Sequence, residues 1–280
     1  MHKKKKIWIT KSSGNQEKFS KAKLRRSLKK SGANEKKIQE IISAIEQILY
    51  PGISTRIIYK KAFSLLRKSS RPLAAKYKLK KALMEIGPSG YPFEKYVAAL
   101  LLHKGYKVKV GKILKGTCVN HEVDVFAEKN NQVILVECKF HSDEYNITGV
   151  KIPLYIHSRY LDIKSNWKKT YGSKQLDPAR IITNTRFSKD AQKYSRCIGL
   201  HLIGWNYPKK ASLKELIDTN ALHPITCLTS ITNREKKELV GKNIILCKTL
   251  CKNPNALTSI GLNDVRRKKI IAEAKALCAS

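Results

Sequence analysis

HEVDV at residues 121–125 and VILVECKF at 133–140, with a polar segment between them, decide how this chain is read. With a period of two, Val133, Leu135, Glu137 and Lys139 share one face of a strand, while Ile134, Val136, Cys138 and Phe140 line the other. A mostly apolar run of this kind is expected of a strand buried on both sides. Charged side chains are seldom placed there, because an unpaired charge in a low-dielectric interior is costly. Asp124 is expected at the end of the preceding strand, and Asn130-Asn131 suits the turn between the two. Such a hairpin brings two carboxylates and an ammonium to one end of a sheet.

Two converging carboxylates make a hard-oxygen site suited to Mg²⁺, which keeps several waters and takes phosphate oxygens as its remaining ligands. Asp124 and Glu137 are the candidate metal ligands, and Lys139 is placed to orient an attacking water and to stabilise charge growing on a phosphate. The alternative is a structural Glu–Lys pair at a strand end. Asp124 followed by Glu137-Cys138-Lys139 resembles the PD-(D/E)xK nuclease signature, in a form similar to the Mrr-like restriction endonucleases. That resemblance implies a catalytic set of Asp124, Glu137 and Lys139 and an αβββαβ core.

At 280 residues the chain has room for two domains or three, and its composition, 42% hydrophobic without a low-complexity tract, is that of a globular protein. The net charge of +36 suggests a polyanionic partner such as DNA, since each neutralised phosphate releases counterions. No apolar run approaches the roughly 20 residues needed to span a bilayer, and the basic residues at 3–6 precede no signal-peptide core, so no membrane role is expected. The seven cysteines are scattered, with Cys247 and Cys251 at i,i+4 spacing and no CxxC pair, which argues against a zinc ribbon and suits a reduced, cytoplasmic setting.

The first ninety residues predict a short strand at 7–11, a turn, a return at 17–19, and four helices. Ser20 caps a helix carrying Leu24 and Leu28, and Asn34 caps one with Ile38, Ile41, Ile42, Ile45, Ile48 and Leu49 on one face. A third opens at Ser54 or Thr55 with Ile57, Ile58, Ala62, Leu65 and Leu66 inward, and a fourth is expected from about Pro72 to Ile86, stopped by Gly87-Pro88. The pattern W-I-T-K-x-x-G-x-x-E-x-F-x-x-x-K-L looks like the ATP-cone, a nucleotide-binding regulatory module, over residues 5–90. By that resemblance Lys11, Glu17, Lys23 and Thr55 are cofactor-binding residues for ATP or dATP. Departures are Ser12-Ser13 after Lys11, where the family has a basic–acidic pair, and Tyr59, where some members carry His.

Residues 91–210 read as the nuclease-like domain. A helix with Phe93, Tyr96, Val97, Leu100 and Leu101 buried closes at Gly105, and strands follow at 106–110, 119–127 and 133–140. An amphipathic helix opening at Pro153 carries Leu154, His157, Tyr160 and Leu161, then come strands at 180–183 and 200–204 around a helix capped by Ser188. Glu94 stands where the nuclease family places a supporting acidic residue, the alternative being a solvated helix charge; His121 reads as structural, and Arg186 reads first as a surface arginine, with contact to DNA backbone as the alternative. In the last segment, 211–280, Leu228-Thr229-Ser230-Ile231 recurs as Leu257-Thr258-Ser259-Ile260, each copy followed by a basic helical stretch. This resembles a tandem helix-hairpin-helix, which lays backbone amides against DNA phosphates, although the Gly-x-Gly hairpin is reduced to Gly261.

The expected fold is thus α/β, of the α+β kind: a hairpin plus four helices, a restriction endonuclease-like domain, and a small helical C-terminal region. The expected function is a Mg²⁺-dependent endonuclease acting on DNA, regulated by ATP or dATP. The alternatives are a nucleotide-sensing DNA-binding regulator with an inert nuclease fold, and a structure-specific repair nuclease or resolvase. One site per chain would favour a homodimer for cutting both strands.

Overall fold

The computed structural model describes residues 7–11, 13–87 and 89–279. The basic residues at 3–6, Ser12 and Pro88, all used above, lie outside them. The chain opens with an antiparallel hairpin, β1 (Trp8–Thr10) and β2 (Gln16–Lys18), followed by α1 (Lys21–Lys30), α2 (Glu35–Glu46) and α3 (Thr55–Ser69). Ser20, Asn34 and Ser54 cap these helices, each accepting a first-turn amide that has no partner inside the helix. Leu24, Leu28, Ile38, Ile41, Ile42 and Ile45 fill the core between them. Ile57, expected inward, is exposed, because Ile58, Ala62 and Leu66 alone form the buried stripe of α3.

The expected fourth helix is two. Arg71–Tyr77 (α4) ends at Lys78 and Leu79–Met84 (α5) restarts without a side-chain cap. The reason is tertiary: Ala74 packs into the front core, whereas Ala75, Leu79, Ala82 and Leu83 pack into the core of the following sheet. One straight helix cannot face both.

Next come α6 (Tyr91–His103), β3 (Lys107–Lys115), β4 (Asn120–Lys129), β5 (Gln132–Lys139), β6 (Ile147–Thr148), α7 (Lys151–Tyr171), β7 (Gln175–Leu176), β8 (Arg180–Thr183), β9 (Arg186–Phe187), α8 (Lys189–Cys197) and β10 (His201–Ile203). The architecture is mixed α+β, with a sheet ordered β10-β8-β5-β4-β3. Its β3-β4-β5 half is antiparallel, and its β5-β8-β10 half is parallel. One face packs on α6 through Val125, Ala127, Ile134 and Val136; the other packs on α7 through Val133, Leu135, Phe126 and Ile181. α7 turns a different stripe inward than expected: Pro153, Ile156, Tyr160, Ile163 and Trp167 are buried, while Leu154 and Leu161 are exposed.

The C-terminal region comprises α9 (Leu213–Thr219), α10 (Asn233–Gly241), α11 (Cys247–Lys252) and α12 (Asp264–Cys278), with single 3₁₀ segments at Ile225–Cys227 and Pro254–Ile260. It shares the α5–α6 core, and the Tyr96 hydroxyl donates to the Leu222 carbonyl at 3.0 Å. No helix among the described residues is long and apolar enough to cross a membrane.

Candidate active site

The site grows from a two-residue turn. Asn130 and Asn131 both adopt positive φ, 49° and 64°, which suits a tight hairpin between the paired Lys129 and Gln132. Pairing of β4 with β5 runs to Val125 opposite Val136 and then stops. The next residues in that register are Asp124 and Glu137. Instead of continuing the ladder, the Asp124 carboxylate accepts the Cys138 amide at 2.6 Å. Beyond this point β5 pairs with β8, setting Glu137 opposite Ile181 and Lys139 opposite Thr183. The strands therefore part where the two carboxylates meet.

Both carboxyls are pushed up from their ordinary values, first by burial. For Glu137 the next cause is repulsion from Asp124, and its pKa rises to about 7. Glu94 rises to about 6 through burial and then through the charges of Asp124 and Glu122. Glu94 on α6 thus belongs to the same acidic pocket, as does Glu122 on β4. Gly111, at φ 62°, stands in β3 between the Val110–Val125 and Lys112–Val123 pairs, and a Cβ there would stand 3.4 Å from Glu122 Oε1. The Lys139 ammonium lies close enough to favour ionisation of both Asp124 and Glu137.

Two members of this pocket were not anticipated. Glu122 carries a readable signal, since it lies two residues before Asp124 on one strand. Arg159 carries none. It reaches from α7 to donate to Glu137 Oε2 at 2.9 Å and to the Tyr155 hydroxyl at 3.0 Å, with its guanidinium 4.8 Å from the Tyr155 ring centre. Among the described residues no three His, Cys, Asp or Glu side chains are arranged as a ready-made metal cage. A pair of acidic oxygens nonetheless suits an ion that retains most of its water.

The histidines near the site serve the fold. His121 Nε2 lies 2.7 Å from Asp162 Oδ2, and the same carboxylate accepts the Cys118 amide at 2.8 Å, which pins the β3–β4 turn to α7. These bonds hold the Asp162 carboxyl far below its usual range. His141 exchanges backbone hydrogen bonds with the buried Asn184 side chain at 2.9 and 2.7 Å and contacts the Thr148 hydroxyl at 3.0 Å. Arg186 donates to the Tyr145 carbonyl at 3.3 Å.

Residues 88–152, which contain this hairpin, match a family model described as restriction endonuclease. Residues 223–278 match a second model, described as AF1548-like, C-terminal. An uncharacterized protein of Archaeoglobus fulgidus is 36% identical over 180 residues, spanning 64% of this chain and 98% of the relative. The chain belongs to the AF1548-like family. A crystal structure of a protein of unknown function, AF1548, superposes with a TM-score of 0.55 at 34% identity, over 68% of this chain and 99% of that one. A more distant likeness, TM-score 0.36 at 13% identity, is to the MspJI restriction endonuclease in complex with a 27-mer oligonucleotide, over 61% of this chain and 36% of that one.

In the AF1548-like C-terminal part, the first of the two repeats uses its amides within the fold. The Thr229 and Ser230 amides of the first repeat donate to the buried Glu273 carboxylate at 2.8 and 2.9 Å. Both hydroxyls donate to it as well. Of the basic stretches, Lys236 is buried and Arg266 is held by Glu235, its Nη2 3.0 Å from Oε2. The first repeat is therefore closed inward.

In the front unit of this AF1548-like chain, Glu17 lies 2.8 Å from Lys11 Nζ and 3.0 Å from Lys23 Nζ, and these two bonds lower its pKa. Thr55 is the first residue of α3, beside the Thr10–Ser54 bridge that docks the helix on the hairpin. The four residues expected to bind nucleotide thus come from one corner. Tyr59 is stacked on Tyr77 and Phe63, with its hydroxyl buried and without a hydrogen-bond partner.

Proposed function

We propose that this AF1548-like protein is a Mg²⁺-dependent endonuclease that hydrolyses DNA phosphodiester bonds. The observation that carries this reading is the parting of β4 and β5 at Asp124 and Glu137, with Lys139 beside them. The donor set fits the ion, because burial and then repulsion from Asp124 raise the carboxyl pKa of Glu137, and a divalent cation relieves that repulsion. Asp124 and Glu137 would hold it, and the chemistry it supplies is neutralisation of phosphate charge and acidification of an attacking water. Lys139 would orient that water and stabilise the charge that develops on the phosphate. Glu94 adds negative charge behind Asp124 and supports ion capture.

ATP or dATP binding at Lys11, Glu17, Lys23 and Thr55 is the regulatory part of this proposal. It is supported by the convergence of two lysines with the opening of α3, where unpaired helix amides favour anions. Phosphate oxygens would displace Glu17 from the two lysines.

A second reading, a DNA-binding protein with an inert nuclease fold, is favoured by one observation: Arg159 already occupies Glu137. Cleavage of supercoiled plasmid with Mg²⁺ or with chelator separates the two. We expect Asp124→Ala and Lys139→Ala each to lower cutting by about a hundredfold or more while DNA binding persists. Equal rates in wild type and variants would assign the protein to the inert class.

A further inference from the structure

Between the helical front unit and the loop after β10 lies a cavity of about 290 Å³. Lys23, Arg26 and Lys30 of α1 line one side, at the i, i+3, i+7 spacing that stacks them on a single helix face. Lys76 of α4, Lys80 of α5 and Lys214 of α9 close the other, and no carboxylate is among the lining residues. Three of these cations are matched by acids that reach them from outside: Lys23 by Glu17, Lys80 by Glu144 and Lys214 by Asp218. Among the described residues, Arg26, Lys30 and Lys76 have no such partner.

Like charges stacked on one helix face repel, and a concave wall of one sign focuses its field on whatever enters. The cavity therefore carries about three uncompensated positive charges. Tyr77 and the nearly buried Trp205 supply apolar wall. The volume is at the small end of ligand pockets, roughly 300–1,000 Å³. A DNA duplex, whose major groove alone is about 12 Å wide, is too large to enter.

We propose that this cavity binds a compact anion carrying several phosphates, a triphosphate chain presented either as a nucleoside triphosphate or as inorganic tripolyphosphate. The site shares only Lys23 with the hairpin corner, and it does not depend on the nuclease reading. It joins the front unit to the sheet. Because β5, β8 and β10 are parallel, Trp205 lies at the same sheet end as Lys139, and its amide donates to the Thr185 carbonyl at 2.7 Å. Lys80 also meets Glu144 at 3.0 Å, in the loop that follows Lys139. A ligand here would tie both units to the edge on which the acidic pocket sits.

The test is calorimetric titration of the full chain with ATP, with tripolyphosphate, and with a short single-stranded oligonucleotide, at one ionic strength. Replacing Arg26 and Lys76 together by Ala is expected to weaken ATP and tripolyphosphate binding by about tenfold or more. Lys168→Ala with Lys169→Ala removes the same charge from the exposed end of α7 and is expected to change binding less than about twofold. Lys30→Glu, on the cavity face of α1, is expected to repeat the loss with an independent change. Tight ATP binding with weaker tripolyphosphate binding, lost in the cavity variants, would still place the phosphate chain here. Three results overturn the proposal: no heat with either free phosphate ligand, a loss that follows Lys11→Ala instead of the cavity variants, or binding of the oligonucleotide alone.

Discussion

Glu137 shows how a single side chain is set by its surroundings. Burial and the neighbouring Asp124 raise its pKa to about 7 from 4.5, even with Arg159 in contact. A raised carboxyl means that the folded state holds this proton more tightly than the unfolded state. Its contribution to stability is thus fully present below the unfolded pKa and is lost as pH rises through the folded one. Thermal unfolding without divalent ions should show the wild type losing stability from about pH 5 to about pH 8 more steeply than Glu137→Gln, which cannot ionise. Added Mg²⁺ at the upper end should raise the wild-type midpoint and leave that of Glu137→Gln nearly unmoved. Coincident profiles would remove the picture of a Glu137 carboxyl held protonated by burial and by Asp124. Arg159 was invisible in the sequence because it acts through space, from a helix that begins more than ten residues downstream of β5.

At the scale of elements, the β4–β5 hairpin was legible and α7 was only partly so. Alternation fixes which residues of a strand share a face, so the inward residues of β5 follow from position alone. α7 holds apolar side chains at more than one helical phase, and the sheet selects Ile156, Tyr160 and Ile163 over Leu154 and Leu161. The C-terminal repeat gives the sharper case. Its tetrapeptides recur as read, yet one acid from α12 captures the amides and hydroxyls of the first copy. Glu273→Gln should lower the free energy of unfolding by about 1–3 kcal/mol, since four partly buried donors lose a charged acceptor. Glu273→Ala should cost more. Urea unfolding monitored by circular dichroism would measure both, and an unchanged midpoint would mean that the loop is held by its apolar neighbours.

Across the whole molecule the decisive quantity is charge. The chain carries a net +36, against which the acidic cluster of Glu94, Asp124 and Glu137 is a local exception. Association with duplex DNA should therefore be steeply salt-dependent. If roughly six to ten phosphates are neutralised, the binding constant should fall by about 10³-fold or more between roughly 50 and 200 mM salt. Fluorescence anisotropy across that range provides the check, and a flat response would mean that the positive surface is not the DNA-binding face.

The sequence alone determined what depends on neighbours along the chain: helix caps at Ser20, Asn34 and Ser188, the Asn130-Asn131 turn, and the two faces of β5. These follow from local hydrogen bonding and from the periods of strand and helix. Only the tertiary structure decided the break at Lys78, the stripe that α7 buries, the capture of Glu137 by Arg159, and the cationic cavity at the seam of the two units. Each of these depends on the distance between residues remote in sequence. That distance is fixed when apolar faces choose one another, a choice no local pattern encodes.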